Sequence, residues 1–446
     1  MNYYYTLIIL LMSLLFACQS YKALDLKPIE IIKEVEESRE FSSNKTFNFD
    51  MAAKLMSEKN RSLKVLRLKY EKFKSIAALK TSLPNPSVEF GPSFGSNLAE
   101  KTASSAQPFV SIGFSIPLGP RLARNDDVNQ ARELEAYNNY VIEHRKLFFK
   151  LRRAYSRVYF AQSLGEEYRK IEATLNISKN VTMKLIKMGS ATRLALSQAK
   201  LQISQLKVNR LTIKAELDTA LGALTSLINV DTGSLSRYKI ELFDVVSMDT
   251  TKLKLLLLDN NMDLAVHEMA FHIADGELKL ALAEQYPDLN IGFSGENEVG
   301  EKKRTFSLPF SIELPLFDKN EQAISAAFST RQIRLEEYKE SLAGCLAQLE
   351  QGIVQYENAQ AKERLIKNEI VPLSKKTNED AEKSLKLGSI NVLRYLDFVV
   401  QNQEYQIDLI ESQKEFWEKR LCLEEISGAP LINFSSLKKS LKPMVK

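Results

Sequence analysis

Histidine and cysteine, the side chains that most often carry chemistry, are few here and poorly spaced for a catalytic or metal site. His267 and His272 lie in His-Glu-Met-Ala-Phe-His, which superficially resembles the helical zinc motif of metalloproteases. Zinc ligands on a helix stand four residues apart on one face, whereas a five-residue spacing turns the second histidine about 140° away. The other histidine is His144, and the sequence has no glycine-rich phosphate loop or nucleophile elbow. The sequence therefore predicts no enzyme, no cofactor and no metal centre.

The three cysteines are widely separated, so no disulfide framework or CxxC metal pattern can be read from their spacing. Cys18 closes an apolar run, Leu7 to Ala17, that has the length of a signal-peptide core and is shorter than the ~20 residues of a membrane-spanning helix. Leu15-Phe16-Ala17-Cys18 resembles a bacterial lipobox, in which the cysteine is acylated and becomes the new N-terminus. The alternatives are an ordinary signal peptide with a chance cysteine and an uncleaved anchor. Each predicts export.

The composition is that of a folded protein rich in helix. It contains 44% hydrophobic and 26% charged residues, and only 16 glycines and 13 prolines interrupt its 446 residues. With 61 basic and 56 acidic side chains, the charge is too balanced to indicate a nucleic-acid partner.

The chain is internally duplicated. Four landmarks recur in the same order about 200 residues later. They are Asn60-Arg61-Ser62-Leu63 with Asn261-Met262-Asp263-Leu264, Pro86 to Phe90 with Pro287 to Ile291, Phe114 to Leu118 with Ile312 to Leu316, and Met188-Gly189-Ser190 with Leu387-Gly388-Ser389. One structural unit is therefore expected twice.

Each half alternates between helical and strand patterns. A helical stretch, roughly Met51 to Leu83 and again Lys252 to Tyr286, ends at proline. Two segments of alternating apolar and polar residues follow, as in Ile112, Phe114 and Ile116 or Phe306 to Leu314. Such strands approach the ~9 to 11 residues that cross a bilayer. An open sheet edge is not tolerated in hydrocarbon, so we expect three subunits with four strands each to close one barrel.

Long helices complete each half. Ala123 to Met188 contains no proline, and a continuous helix of that length would extend roughly 100 Å. The returning segments, from Ile203 to Leu224 and from Leu393 to Leu421, show the 3,4 spacing of coiled coils. Only Gly189-Ser190 or Gly388-Ser389 separates the outgoing and returning helices, which indicates two tight helical hairpins.

These residues resemble the TolC-like outer-membrane efflux family over nearly the whole mature chain. The matching segments are Leu83 to Pro86, Tyr286 to Leu289, Leu314 to Asp318, Pro372 and Leu387 to Leu393. The resemblance implies a mainly α fold with a membrane β portion, a homotrimer with a twelve-stranded barrel in outer-membrane lipid, and a helical tunnel across the periplasm. It also implies that an inner-membrane pump and a periplasmic adapter supply the duct with drugs, metal ions or secreted molecules.

The resemblance also suggests roles for residues near the tips. Some family members have two aspartates that ring the aperture; here Arg394 and Asp397 occupy those positions, and Asp397 is either an aperture residue or a solvated coiled-coil residue. Basic residues surround both tips and either contact an acidic adapter surface or form an ordinary solvated face. The basic residues are Lys184, Lys187, Arg193, Lys383, Lys386 and Arg394; the tip contacts expected are Lys187, Gly189, Ser190, Arg193, Lys386, Gly388 and Ser389.

Gly119 to Arg124 resembles the Gly-x-Arg-x-x-Arg stretch of the CzcC-like heavy-metal branch, although its arginines could equally mark the boundary between barrel and tunnel. The competing interpretation of the whole chain is an exported coiled-coil lipoprotein, acting as a scaffold or adapter without a channel.

The expected division is a signal peptide (1–17), an N-terminal extension (18–50), a first repeat of helical segment (51–83), β-hairpin (84–118) and helical hairpin (119–228), a connecting segment (229–251), a second repeat of the same three parts (252–286, 287–317 and 318–428), and a C-terminal tail (429–446).

Overall fold

The fold consists of long paired helices with a small antiparallel sheet at one end. A computed structural model describes residues 21–41, 47–94, 106–242, 249–298 and 303–428. The prediction of a mainly helical chain with a small sheet is confirmed. Among the residues described, no helix is both long enough and apolar enough to cross a membrane.

The elements occur in nearly the same order in the two halves. A leading helix, α1, covers Pro28–Ser38. The first repeat contains α2 (Phe49–Lys59), α3 (Arg61–Ala77), β1 (Ser87–Phe94), β2 (Ala106–Pro117), α4 (Arg121–Lys187) and α5 (Arg193–Ile228). A short helix, α6 (Thr232–Leu235), and a 3₁₀ turn (Thr250–Lys252) lie in the connection. The second repeat contains α7 (Leu253–Asn260), α8 (Met262–Ala283), β3 (Asp288–Glu298), β4 (Lys303–Ser307), β5 (Phe310–Ile312), α9 (Glu321–Leu365), α10 (Val371–Lys386) and α11 (Val392–Ser427).

The helix lengths show how closely the halves correspond. Helix α4 has 67 residues, and its counterpart consists of α9, a π-helical turn and α10, with 45, 5 and 16 residues. The returning helices α5 and α11 each have 36 residues. At 1.5 Å per residue, the outgoing helices extend roughly 100 Å and the returning ones about 54 Å.

An asparagine interrupts the helical segment that opens each repeat. Within the helical stretch expected at roughly Met51 to Leu83, the structure has two helices, which are separated at Asn60 and end at Ala77. Asn60 has extended backbone angles, and its side chain accepts hydrogen bonds from the N–H groups of Ser62 and Leu63. Asn261 caps α8 in the same way. Because an asparagine at the N-cap satisfies the free N–H groups of a new helix, each repeat begins with two short helices.

The sheet has the order β1-β2-β3-β4, with β5 also paired to β3, and all pairs are antiparallel. The fourth predicted strand, Phe306 to Leu314, is divided into β4 and β5 by Leu308 and Pro309. The register with β3 does not slip across this break, since Ser294 faces Ser307 and Ile291 faces Phe310. Proline has no N–H to donate to the ladder, which explains the gap.

The main core lies where the short helices pack against the long ones. In the first repeat, apolar residues of α2 and the adjoining segments pack against α4 and α5, including Phe49, Met56, Tyr155 and Leu224. In the second, Leu253, Leu257 and Leu264 pack against α9 and α11. Nearer the tips a narrower apolar seam joins α4, α5 and α11, consistent with the predicted coiled-coil spacing.

Candidate functional site

The strand register gives the sheet two faces of opposite character. Directly paired residues lie on the same face, so the pairings Val88–Ile112–Phe293 and Ile116–Leu289–Ile312 each form a row of apolar side chains across the sheet. The neighbouring rows carry small or polar residues, with the exception of Phe109, which lies opposite Gly91. The apolar face contains Val88, Phe90, Val110, Ile112, Phe114, Ile116, Leu289, Ile291, Phe293, Phe306, Phe310 and Ile312.

No part of the described chain covers the apolar face. Phe90 is 82% exposed, Phe310 62% and Phe114 50%. A contiguous apolar surface of this size marks a contact with lipid or with another protein. The opposite face presents Ser111, Ser115, Asn290 and other small polar residues, as expected for the side of a sheet that meets water.

The sheet is also open at both edges. β1 pairs with β2 alone, and β4 and β5 pair with β3 alone, so one side of β1 and one side of β4 and β5 have no strand partner within the described residues. Exposed edges are templates for pairing with another chain. Closure of this sheet would require further strands at both edges.

A junction below the sheet joins the two repeats. Arg121 of α4 forms an ion pair with Asp288 of β3, with 3.0 Å between Nη2 and Oδ2. Gly119 packs against the Tyr286 ring so closely that an added Cβ would lie 2.5 Å from the tyrosine Cβ. The Gly-x-Arg-x-x-Arg stretch thus contributes to the contact between the two repeats. Arg121 forms the ion pair with Asp288 of the second repeat, whereas Arg124 pairs with Asp127 of its own helix.

At the far end, the two helical hairpins have the same turn. Gly189 and Gly388 have φ angles of 72° and 74°, which glycine adopts without steric cost. In each turn the N–H of the following serine bonds back to the last helical turn, from Ser190 to Leu185 and from Ser389 to Ser384, both at 2.9 Å. Thr192 and Asn391 then cap the returning helices.

The two tips differ in charge. In the second tip, Lys383 pairs with Asp380 at 3.0 Å, and Lys386 pairs with Glu382 at 2.8 Å. The ion pair with Glu382 raises the pKa of Lys386. In the first tip, Lys184, Lys187 and Arg193 have no ion pair among the described residues. The basic character expected of both tips is therefore largely neutralised in the second and retained in the first.

The expected aperture residues interact with each other. Arg394 Nη1 lies 4.0 Å from Asp397 Oδ2, and both side chains are 62% exposed. The Arg394 guanidinium also lies 4.8 Å from the centre of the Phe398 ring. The positively charged Arg394 side chain therefore lies beside Asp397, which occupies one of the two positions that carry aperture aspartates in some TolC-like channels.

The remaining candidate residues form no reactive site. His272 lies 3.9 Å from Glu268, one turn away on its own helix. Among the residues described, no group of histidine, cysteine, aspartate and glutamate could hold a metal ion. Cys345 is buried and Cys422 partly buried, both as free thiols. Cys18 lies outside the described residues.

A buried ionic cluster between α4 and α11 was not predicted. Arg152 and Arg420 both contact the carboxylate of Glu424, and these three side chains are 0%, 1% and 0% exposed. Arg420 and Glu424 stand one helical turn apart, which the sequence shows. Arg152 is distant in sequence, and only the fold brings it to the carboxylate.

Comparison with known proteins identifies the class of fold. No protein-family model matches the sequence, and no curated relative matches it either. Solved structures do match, and together with the uncovered sheet and the long paired helices they define the fold of an outer-membrane channel subunit. In particular, the chain has the fold of TolC-like channels.

The alignments extend over nearly the whole chain. A membrane protein from Pseudomonas aeruginosa aligns with a TM-score of 0.69 at 16% identity, covering 93% of this chain and 97% of that one. The outer-membrane protein VceC of Vibrio cholerae gives 0.68 at 14% identity, covering 86% and 97%. The outer-membrane channel CmeC of Campylobacter jejuni gives 0.64 at 15% identity, covering 96% and 97%.

Proposed function

We propose that this chain is one subunit of a homotrimeric duct in the outer membrane. The duct is passive and non-enzymatic, and carries drugs, metal ions or secreted molecules that an inner-membrane pump delivers through a periplasmic adapter. The observation that supports this proposal best is the sheet, with one mainly apolar face, one face of mainly small or polar residues, and two open edges. The alternative of a coiled-coil scaffold or adapter without a channel leaves that face unexplained.

A barrel formed by three copies of the sheet would pair both open edges and give the apolar face a lipid environment. A closed barrel removes both edges, places the apolar rows against lipid and leaves the serine and asparagine rows toward a water-filled lumen. The roughly 100 Å helices then continue the duct into the periplasm. Acylation of Cys18 would add an anchor in the same membrane; the barrel does not depend on it.

Matched substitutions on the two faces of β2 test the duct. Ile112→Lys places a charge on the apolar face at a cost of about 2–4 kcal/mol near the bilayer midplane, whereas Ser111→Lys faces the lumen and is tolerated. We expect heat-resistant trimers and single-channel conductance for the wild type and Ser111→Lys, and loss of both for Ile112→Lys. Equal behaviour of the two variants, or a wild-type chain that is a soluble monomer without conductance, would contradict the proposal.

We further propose that the tips contact an acidic surface of the adapter, chiefly through the first tip. Lys187 and its basic neighbours carry free charge there, while Lys386 is already paired with Glu382. Lys187→Glu should therefore weaken adapter binding and reduce its salt dependence more than Lys386→Glu does. Binding that neither substitution changes would exclude an electrostatic contact at the tips.

A further inference from the structure

Helix α1 is attached to the body at its C-terminal end, and among the described residues no element packs against its outer face. No side chain of α1 is buried. Its C-terminal end is held where Lys59 Nζ donates to the Ser38 carbonyl at 2.8 Å and the Asp231 N–H donates to the Arg39 carbonyl at 3.0 Å. An isolated helix of 11 residues is not stable in water. Something must therefore pack against α1 in the assembled protein.

The uncovered surface of α1 is apolar and carries charges of both signs, from Glu36 and Lys33. Glu34 points toward the body and lies 3.5 Å from Arg61. At 100° per residue, Ile29, Ile32 and Glu36 lie on the opposite side, away from Glu34. Ile29 is 74% exposed and Ile32 56%.

Helix α7 of the second repeat exposes a complementary surface. Leu253 and Leu257 are fully buried against α9 and α11, whereas Leu255 and Leu258 are 67% and 48% exposed. Lys254 lies beside this exposed pair and is itself exposed. Leu255 and Leu258 have the same three-residue spacing as Ile29 and Ile32. Each apolar pair is flanked by one basic and one acidic residue, Lys33 and Glu36 on α1 and Lys254 and Asp259 on α7, so that the charges can be matched in opposite sign.

We propose that the outer face of α1 in one copy packs against α7 of the adjacent copy, with Glu36 near Lys254. This clasp rests on the proposed trimer. Helix α1 is fixed to the first repeat, and α7 belongs to the second, whose surface stays exposed within the same chain. In a ring of three duplicated subunits, each first repeat adjoins the second repeat of the next copy. Its acidic charge makes α1 a poor ligand for an anionic membrane surface.

Cysteine crosslinking in the full-length chain tests the contact. The pair Ile32→Cys and Leu255→Cys should give crosslinks between subunits under mild oxidation. They are seen as dimers and trimers on non-reducing gels after unfolding in urea, under conditions in which the wild type runs as a monomer. The control pair Glu34→Cys and Leu255→Cys should not, because residue 34 faces its own subunit. Each single variant measures the background from Cys345 and Cys422.

Charge exchange provides a second measurement. Glu36→Lys or Lys254→Glu should lower the crosslinking yield about two- to fivefold, the range of a surface ion pair, and the double exchange should restore it. Intact conducting trimers with no crosslink, or with a crosslink within one subunit, would overturn the clasp and leave the duct intact. Monomers without conductance would overturn the duct itself.

Discussion

The buried ionic cluster allows a quantitative test of how the two repeats are held together. Glu424 of α11 is fully buried and contacts the guanidinium groups of Arg152 on α4 and Arg420 on its own helix. Glu424→Gln keeps the shape of the side chain and removes its charge. Two buried cations then lose this carboxylate as a counter-charge, which costs about 3–5 kcal/mol for a buried ion pair.

The neighbouring pair is a matched control on the same two helices. Arg153 and Glu425 are 2.6 Å apart, one residue further along each helix, but their side chains are 33% and 32% exposed. Glu425→Gln should therefore cost about 0–1 kcal/mol, as exposed ion pairs do. The difference in the free energy of unfolding between the two variants then measures the effect of burying the ion pair, because the helices and the chemical change are the same.

The free energy of unfolding can be measured by urea titration in detergent, followed by circular dichroism at one fixed protein concentration, since association contributes to stability. Similar losses for Glu424→Gln and Glu425→Gln would refute the argument. If Glu424→Gln does not fold, the apolar triple variant Arg152→Met, Glu424→Leu and Arg420→Met should fold again, because well-packed apolar residues can replace a buried ion cluster. Failure of the triple variant as well would also count against the argument.

Three further predictions concern the junction, a buried histidine and the aperture. Gly119→Ala should reduce the trimer yield, because the added Cβ would clash with the Tyr286 side chain. The control Gly165→Ala places its Cβ in open space and should stabilise helix α4 by about 0.5–1 kcal/mol. Equal trimer yields for the two variants would contradict the predicted clash. Burial lowers the pKa of His144 below its usual 6.5, so as the pH falls the unfolded chain takes up a proton before the folded one. Between pH 7 and pH 5 the free energy of unfolding of the wild type should therefore fall by up to about 2 kcal/mol more than that of His144→Gln. Urea titrations of both proteins at the two pH values would measure this difference. Arg394→Asp should increase cation selectivity in planar bilayers, and an unchanged reversal potential would exclude this position from the aperture.

The sequence is sufficient to predict features that depend on local pattern. Alternation assigns the two faces of the strands, and the glycine of Met188-Gly189-Ser190 predicts the turn, because both follow from neighbouring residues. The self-paired second tip could also have been found, since Lys386 stands four residues after Glu382, the spacing of helical ion pairs. The contact of Arg152 with Glu424 could not, because it depends on how α4 and α11 cross in space.

The differences between the repeats bear on how a partner could recognise the duct. A duplicated subunit in a trimer presents six hairpin tips, and identical tips would give a sixfold pattern. Of the two outgoing helices, the second contains a π-helical turn just before Pro372. The basic residues of the second tip are paired with Asp380 and Glu382, whereas the first tip keeps its basic charge. Because the six turns share one backbone geometry, shape alone distinguishes them poorly. In the proposed trimer, charge would instead alternate around the ring of tips, so an acidic partner would find three preferred positions and three weaker ones.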